Sequence, residues 1–86
     1  MSMNFELTQH AKESLRKRGN IRTEWIEQVL ANPERVELDR NDPELEHRLA
    51  KIVAYDGRVL RVIIKKNTHP LRLITCYFDR KMRGQL

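Results

Sequence analysis

The fold turns on the stretch HRLAKIVAYDGRVLRVIIKK, residues 47–66. Its halves, His47–Tyr55 and Arg58–Lys66, are rich in β-branched residues and are joined by Asp56-Gly57. That dipeptide favours a two-residue hairpin because both positions tolerate positive φ. A tight turn of this kind sets the register. Tyr55 is then expected opposite Arg58, Val53 opposite Leu60, Lys51 opposite Val62 and Leu49 opposite Ile64. That face is bulky and apolar apart from Lys51, so it is the one that helices should cover. The other face would carry Arg48, Ala50, Ile52, Val59, Arg61 and Ile63. An arginine in mid-strand among apolar neighbours is costly unless its charge is paired or reaches water, which singles out Arg61.

Working outward, Leu71–Phe78 reads as the strand after the hairpin, beyond an Asn67-Thr68-His69-Pro70 loop. Ile74, Cys76 and Phe78 suit the core, which places Thr75 and Tyr77 on the face of Arg61; a one-residue slip would reverse this. Upstream, Arg35–Leu38 reads as a short strand and Asn41-Asp42-Pro43 as a turn-rich break. Two helices come before it. Thr8 caps one that runs to about Arg18, with Ala11 and Leu15 inward and Gly19 as its stop. Thr23 caps a second that runs to about Ala31, with Trp25, Ile26, Val29 and Leu30 on one face. Asn32-Pro33 ends it, because a residue before proline resists the helical conformation. The expected architecture is α+β: a helical hairpin on a four-stranded antiparallel sheet, in the order α-α-β-β-β-β. Residues 1–86 make one domain, with 80–86 expected as a disordered basic tail.

Composition narrows the chemistry. Seventeen Lys and Arg against twelve Asp and Glu give a formal charge of +5, which favours an anionic partner, nucleic acid ahead of membrane. The excess is uneven. Residues 58–86 set Arg58, Arg61, Lys65, Lys66, Arg72, Arg80, Lys81 and Arg83 against Asp79 alone, whereas Glu34–Glu46 is acidic. The single cysteine, Cys76, excludes an internal disulfide and reads as a buried structural thiol in a reducing compartment. No apolar run is long enough to span a bilayer and no signal peptide is readable, so the cytoplasm is the expected location. No cofactor and no metal are expected: His10, His47 and His69 lie on separate elements, and no Cys-x-x-Cys or glycine-rich phosphate loop is present. The acidic residues Asp39, Asp42, Glu44 and Glu46 read as a solvated loop, and Trp25 as a core anchor.

His10, Ser14 and Arg18 recur every four residues and so line one side of the first helix. The bland reading is a solvated flank. The sharper one is an acid/base group beside a phosphate-binding fork. Metal-free cleavage of RNA needs a base for the 2′-hydroxyl, cations for the crowded phosphorane and an acid for the departing 5′-oxygen. His10, Arg18, Arg61 and Tyr77 are residues of the right types.

The run His10-Ala11-Lys12-Glu13-Ser14-Leu15-Arg16-Lys17-Arg18-Gly19-Asn20-Ile21 resembles the opening of a widespread bacterial family known as domain of unknown function 4258. Trp25-Ile26 through Val29-Leu30, Asn32-Pro33 and Arg35-Val36 look like its second helix and first strand. Leu60-Arg61-Val62-Ile63 and Leu73-Ile74-Thr75-Cys76-Tyr77 look like its last two strands. The resemblance runs from about Leu7 to Arg80. That family is grouped with the BrnT and RelE toxins in the barnase–EndoU–colicin–RelE superfold. The resemblance therefore implies a metal-independent ribonuclease fold, acting on RNA and paired with an acidic antitoxin or immunity protein. Carried over by position, His10, Arg18, Arg61, Thr75 and Tyr77 are the expected catalytic residues. Ser14 departs from the family, which usually has arginine there, and the lost phosphate fork weakens the case for cleavage. The alternatives are a non-catalytic RNA- or ribosome-binding module and a protein-interaction domain.

Overall fold

The computed structural model of the chain describes residues 5–86. The elements run β1 (Phe5–Leu7), α1 (Gln9–Arg18), α2 (Thr23–Ala31), β2 (Arg35–Leu38), β3 (Leu45–Ile52), β4 (Arg58–Lys65) and β5 (Leu71–Phe78), with 3-10 turns at Val53–Tyr55 and Arg80–Met82. The five strands form one sheet in the order β1-β5-β4-β3-β2. β1 runs parallel to β5 and the other pairs are antiparallel. The fold is α+β as expected, but the helices do not come first and the sheet is mixed. The missing strand is three residues long, too short for alternation to reveal it.

Both helices obey local rules. The Thr8 hydroxyl oxygen accepts from the Ala11 amide at 3.1 Å, and Gly19, at φ 63°, donates to the Leu15 carbonyl at 2.9 Å. Only glycine takes this left-handed stop without strain. α2 departs from expectation at its start. Arg22, in an extended conformation, is the capping residue and makes no side-chain capping bond, so Thr23 is already inside the helix.

The hairpin register is the main correction. Arg58 pairs with Ile52, Leu60 with Ala50 and Arg61 with Leu49, three residues from the expected alignment. The ladder closes where Gly57 N–H donates to the Ile52 carbonyl at 3.1 Å, so the loop spans Val53–Gly57 rather than Asp56-Gly57 alone. Tyr55 leaves the strand to stack on Trp25, with centroids 5.5 Å apart, and to lie against Phe78 at 4.9 Å. Aromatic burial of this size outweighs two more ladder pairs. An odd slip exchanges the faces of β3. Ala50 and Ile52 now face the helices, and Lys51 leaves the apolar side, where its charge had no partner. Arg48 also turns to the helix side, where Nη1 donates to the Leu30 carbonyl at 2.8 Å and satisfies an orphan acceptor in the last turn of α2.

On β5 the expected faces hold for Thr75, Cys76, Tyr77 and Phe78, since Arg61 pairs with Tyr77 and Ile63 with Thr75. Ile74 does not join the core. A bulge makes Ile64 pair with Leu73, which is fully buried in its place. Thr8 takes up the backbone there: its N–H donates to the Leu73 carbonyl at 3.1 Å and its hydroxyl to the Ile74 carbonyl at 3.2 Å.

The core lies between the helices and one sheet face: Ala11, Ile26, Val29 and Leu30 against Ala50, Ile52, Leu60, Val62, Ile64, Leu73 and Cys76. The other face carries no helix, yet Leu49 and Val59 are buried and Ile63 nearly so. The segment expected as a disordered tail is folded. Asp79 caps its turn by accepting from the Lys81 amide at 3.0 Å, and Arg83 reaches back to Asp56 at 2.9 Å. No helix among the described residues is long and apolar enough to cross a membrane.

Candidate functional site

The helix-free face centres on Arg61. Its Nε donates to Asp79 Oδ2 at 2.9 Å, its Nη2 is 2.9 Å from the same oxygen, and its Nη1 donates to Glu37 Oε1 at 3.1 Å. The same Nη1 stands 2.7 Å from His47 Nδ1, and His47 Nε2 is 2.7 Å from Asp39 Oδ1. A guanidinium only donates, so Nδ1 is the acceptor and the ring proton sits on Nε2, donating to Asp39. Arg35 Nε closes the row on Glu37 Oε2 at 2.8 Å. The β register produces this line: Glu37 pairs with His47, and Arg61 lies two positions along from the residue opposite His47.

Electrostatics follow from these contacts. Burial works against the Arg61 charge, but hydrogen bonds to Glu37 and Asp79 more than offset it and hold the guanidinium above its ordinary pKa. The hydrogen bond from Arg61 keeps the Glu37 carboxyl below the usual carboxylate range. Asp39 is lowered by its bond from His47 and by the Asn41 and Asp42 amides. With a side chain only 11% exposed, Arg61 is committed to its neighbours and has little left for an outside anion. Cys76, buried in the core, is pushed up to about 11, which suits a structural thiol and not a nucleophile.

The remaining expected site residues divide. The Arg18 guanidinium lies over the Tyr77 ring at 5.8 Å, reaching from the end of α1. Tyr77 is the cross-strand partner of Arg61, and Thr75 is two residues along on the same face. Arg18, Arg61, Thr75 and Tyr77 are therefore assembled in one region. His10 is not joined to them: it is exposed in the first turn of α1, eight residues from Arg18, or about 12 Å along the axis. No side-chain hydrogen bond among the described residues reaches it. Ser14, between them, is half-buried. The sequence reading missed Glu37, Asp39, His47 and Asp79 as a set: the corrected register brings the first three to Arg61, and Asp79 reaches it from the end of β5.

Two recesses adjoin this region. A shallow groove of about 400 Å³ is lined by Arg61, Tyr77, Asp79, Arg80 and Lys81, among others. A cleft of about 370 Å³ lies next to it, and Phe78, Asp79 and Arg80 line both. Among the described residues no group of three His, Cys, Asp or Glu side chains is arranged to hold a metal ion.

The chain belongs to the family described as domain of unknown function DUF4258, which matches residues 7–78. No curated protein and no solved structure matches it significantly.

Proposed function

We propose that the chain is an RNA-directed domain of the RelE/BrnT type that binds the phosphodiester backbone along the Tyr77 groove. The observation that carries this reading is the Arg18 guanidinium over Tyr77, next to a groove edged by Arg80 and Lys81. Cations beside a half-buried aromatic that lines a groove are what a single strand needs, one for phosphate and the other for a base. Arg61 has a supporting role here. Enclosed by Asp79, Glu37 and His47, it fixes the strand ends that carry Tyr77 and Asp79.

Metal-independent cleavage is a second reading, favoured by the phenol of Tyr77 between the cations Arg18 and Arg61. In that reaction the 2′-oxygen attacks phosphorus, a base takes its proton, and an acid protonates the leaving 5′-oxygen. His10 is the residue of the right type for proton transfer, and it stands outside the groove, about 12 Å along α1 from Arg18. An acidic antitoxin or immunity protein would cover the same basic surface.

The deciding experiment measures binding and cleavage of a single-stranded oligoribonucleotide in EDTA buffer at low salt. Binding that weakens at least about tenfold in Arg18→Ala and falls with added salt supports the RNA reading. Absence of RNA affinity near physiological salt overturns it in favour of a protein-interaction domain. Cleavage lost in His10→Ala and Tyr77→Phe but kept in EDTA supports the ribonuclease reading.

A further inference from the structure

The cleft beside the Tyr77 groove brings four arginines together: Arg18 from the end of α1, Arg58 from the start of β4, and Arg80 and Arg83 from the turn after β5. Like charges from three parts of the chain repel one another unless something negative lies among them. The carboxylate in the lining, Asp79, is already engaged. Its Oδ2 accepts from Arg61 and its Oδ1 from the Lys81 amide. Arg83 is held by Asp56 at 2.9 Å. Among the described residues, Arg18, Arg58 and Arg80 make no ion pair.

Arg58 is the most telling of the four. Its guanidinium lies over the Tyr55 ring at 4.7 Å, and Tyr55 is in turn stacked on Trp25, so the fork is held by the aromatic cluster of the core. Yet its Nε is buried and has no hydrogen-bond partner in the protein. A buried donor without an acceptor is destabilising on its own, and native proteins retain few of them. Arg58 lines the cleft and no carboxylate among the described residues neutralises its charge, which suits the cleft to an oxyanion.

We propose that this cleft is a phosphomonoester site, taking the terminal phosphate of a nucleotide or of a phosphorylated RNA end. Several forks converging on one pocket match a dianionic monoester better than the single charge of an internal diester. The volume suits one nucleotide, and Phe78 supplies an apolar wall and Asn20 a side-chain amide. The site is distinct from the backbone groove, although Phe78, Asp79 and Arg80 line both and Arg18 lies over the Tyr77 ring.

The test compares two pairs of ligands on the full chain by calorimetry: AMP with adenosine, and one oligoribonucleotide with either a 5′-phosphate or a 5′-hydroxyl. The phosphorylated member is expected to bind at least about tenfold tighter. Arg80→Ala, an exposed position, and Arg58→Lys, which keeps the charge and loses the fork, should each shrink that preference. A preference in the AMP pair assigns the site to free nucleotides; one in the oligonucleotide pair alone assigns it to strand ends. Equal affinity within both pairs overturns the proposal, as does a preference that neither substitution reduces. The 5′-hydroxyl strand reports backbone binding separately, so this inference and the RNA reading can fail independently.

Discussion

Arg61 Nη1 and His47 Nδ1 lie 2.7 Å apart on adjacent strands, and the arginine can only be the donor. This contact links the Asp39–His47 pair to the Arg61–Asp79–Glu37 cluster and makes one polar row across β2, β3, β4 and the end of β5. Leu49, Val59 and Ile63 form the apolar floor around it. Removing Arg61 leaves Asp79, 14% exposed, without its cation. Arg61→Ala is expected to cost roughly 2–4 kcal/mol, and His47→Ala about half of that. In a domain of this size the first loss lowers Tm by about 10 °C or more. Denaturant melts would check it, and a change below about 0.5 kcal/mol for Arg61→Ala would mean the row is screened by solvent.

Acid should destabilise the same row. Glu37 and Asp39 have folded-state pKa values below their ordinary ones, so the unfolded chain binds more protons on acidification. Their contribution is complete above the ordinary carboxylate range, near about 4, and disappears as pH falls through the lowered values. Urea midpoints measured from pH 6 down to pH 2 should decline in that window. Glu37→Gln should flatten the decline, whereas Glu24→Gln, on an exposed helix turn, should not.

Thr8 supports two elements at once. It caps α1 and fills the carbonyls exposed by the β5 bulge. Thr8→Ala should destabilise by about 1–2 kcal/mol, and Thr8→Ser should retain most of the stability because the hydroxyl does both jobs. Equal losses in the two variants would point to the methyl group instead.

His10 offers a clean separation of function from folding. It is exposed in the first turn of α1. His10→Ala should leave Tm unchanged within about 0.5 kcal/mol of stability. Any loss of RNA cleavage in that variant would then belong to chemistry. Tyr77→Phe is the companion, since it keeps the ring under Arg18 and deletes the hydroxyl.

Helix positions, strand order after Arg35 and the facing of Thr75, Cys76 and Tyr77 were all legible, because they rest on local periodicity and end signals. The register of β3 was not. Asp56 and Gly57 do take positive φ, at 59° and 68°, but Tyr55 is drawn to Trp25 and Phe78 by packing that no local pattern encodes. Lys51 on the supposed core face was the one warning. From that slip follows most of what was missed in the candidate site. Arg61 and Tyr77 were identifiable as neighbours, while Glu37, Asp39 and His47 depended on a pairing that only the folded sheet supplies.

The joining of β1 to β5 also has a kinetic meaning. β2 through β5 meander between sequence neighbours, whereas the Thr8–Ile74 bond connects residues 66 apart. Closing a loop of that span is the slowest entropic step the topology contains. The meander can therefore form first, with Arg61 and Tyr77 already paired, and α1 docks afterwards, carrying Arg18 to the ring. Thr8→Ala should accordingly speed unfolding more than it slows folding. The contact between Arg18 and the Tyr77 ring is then the last to assemble and the first to open.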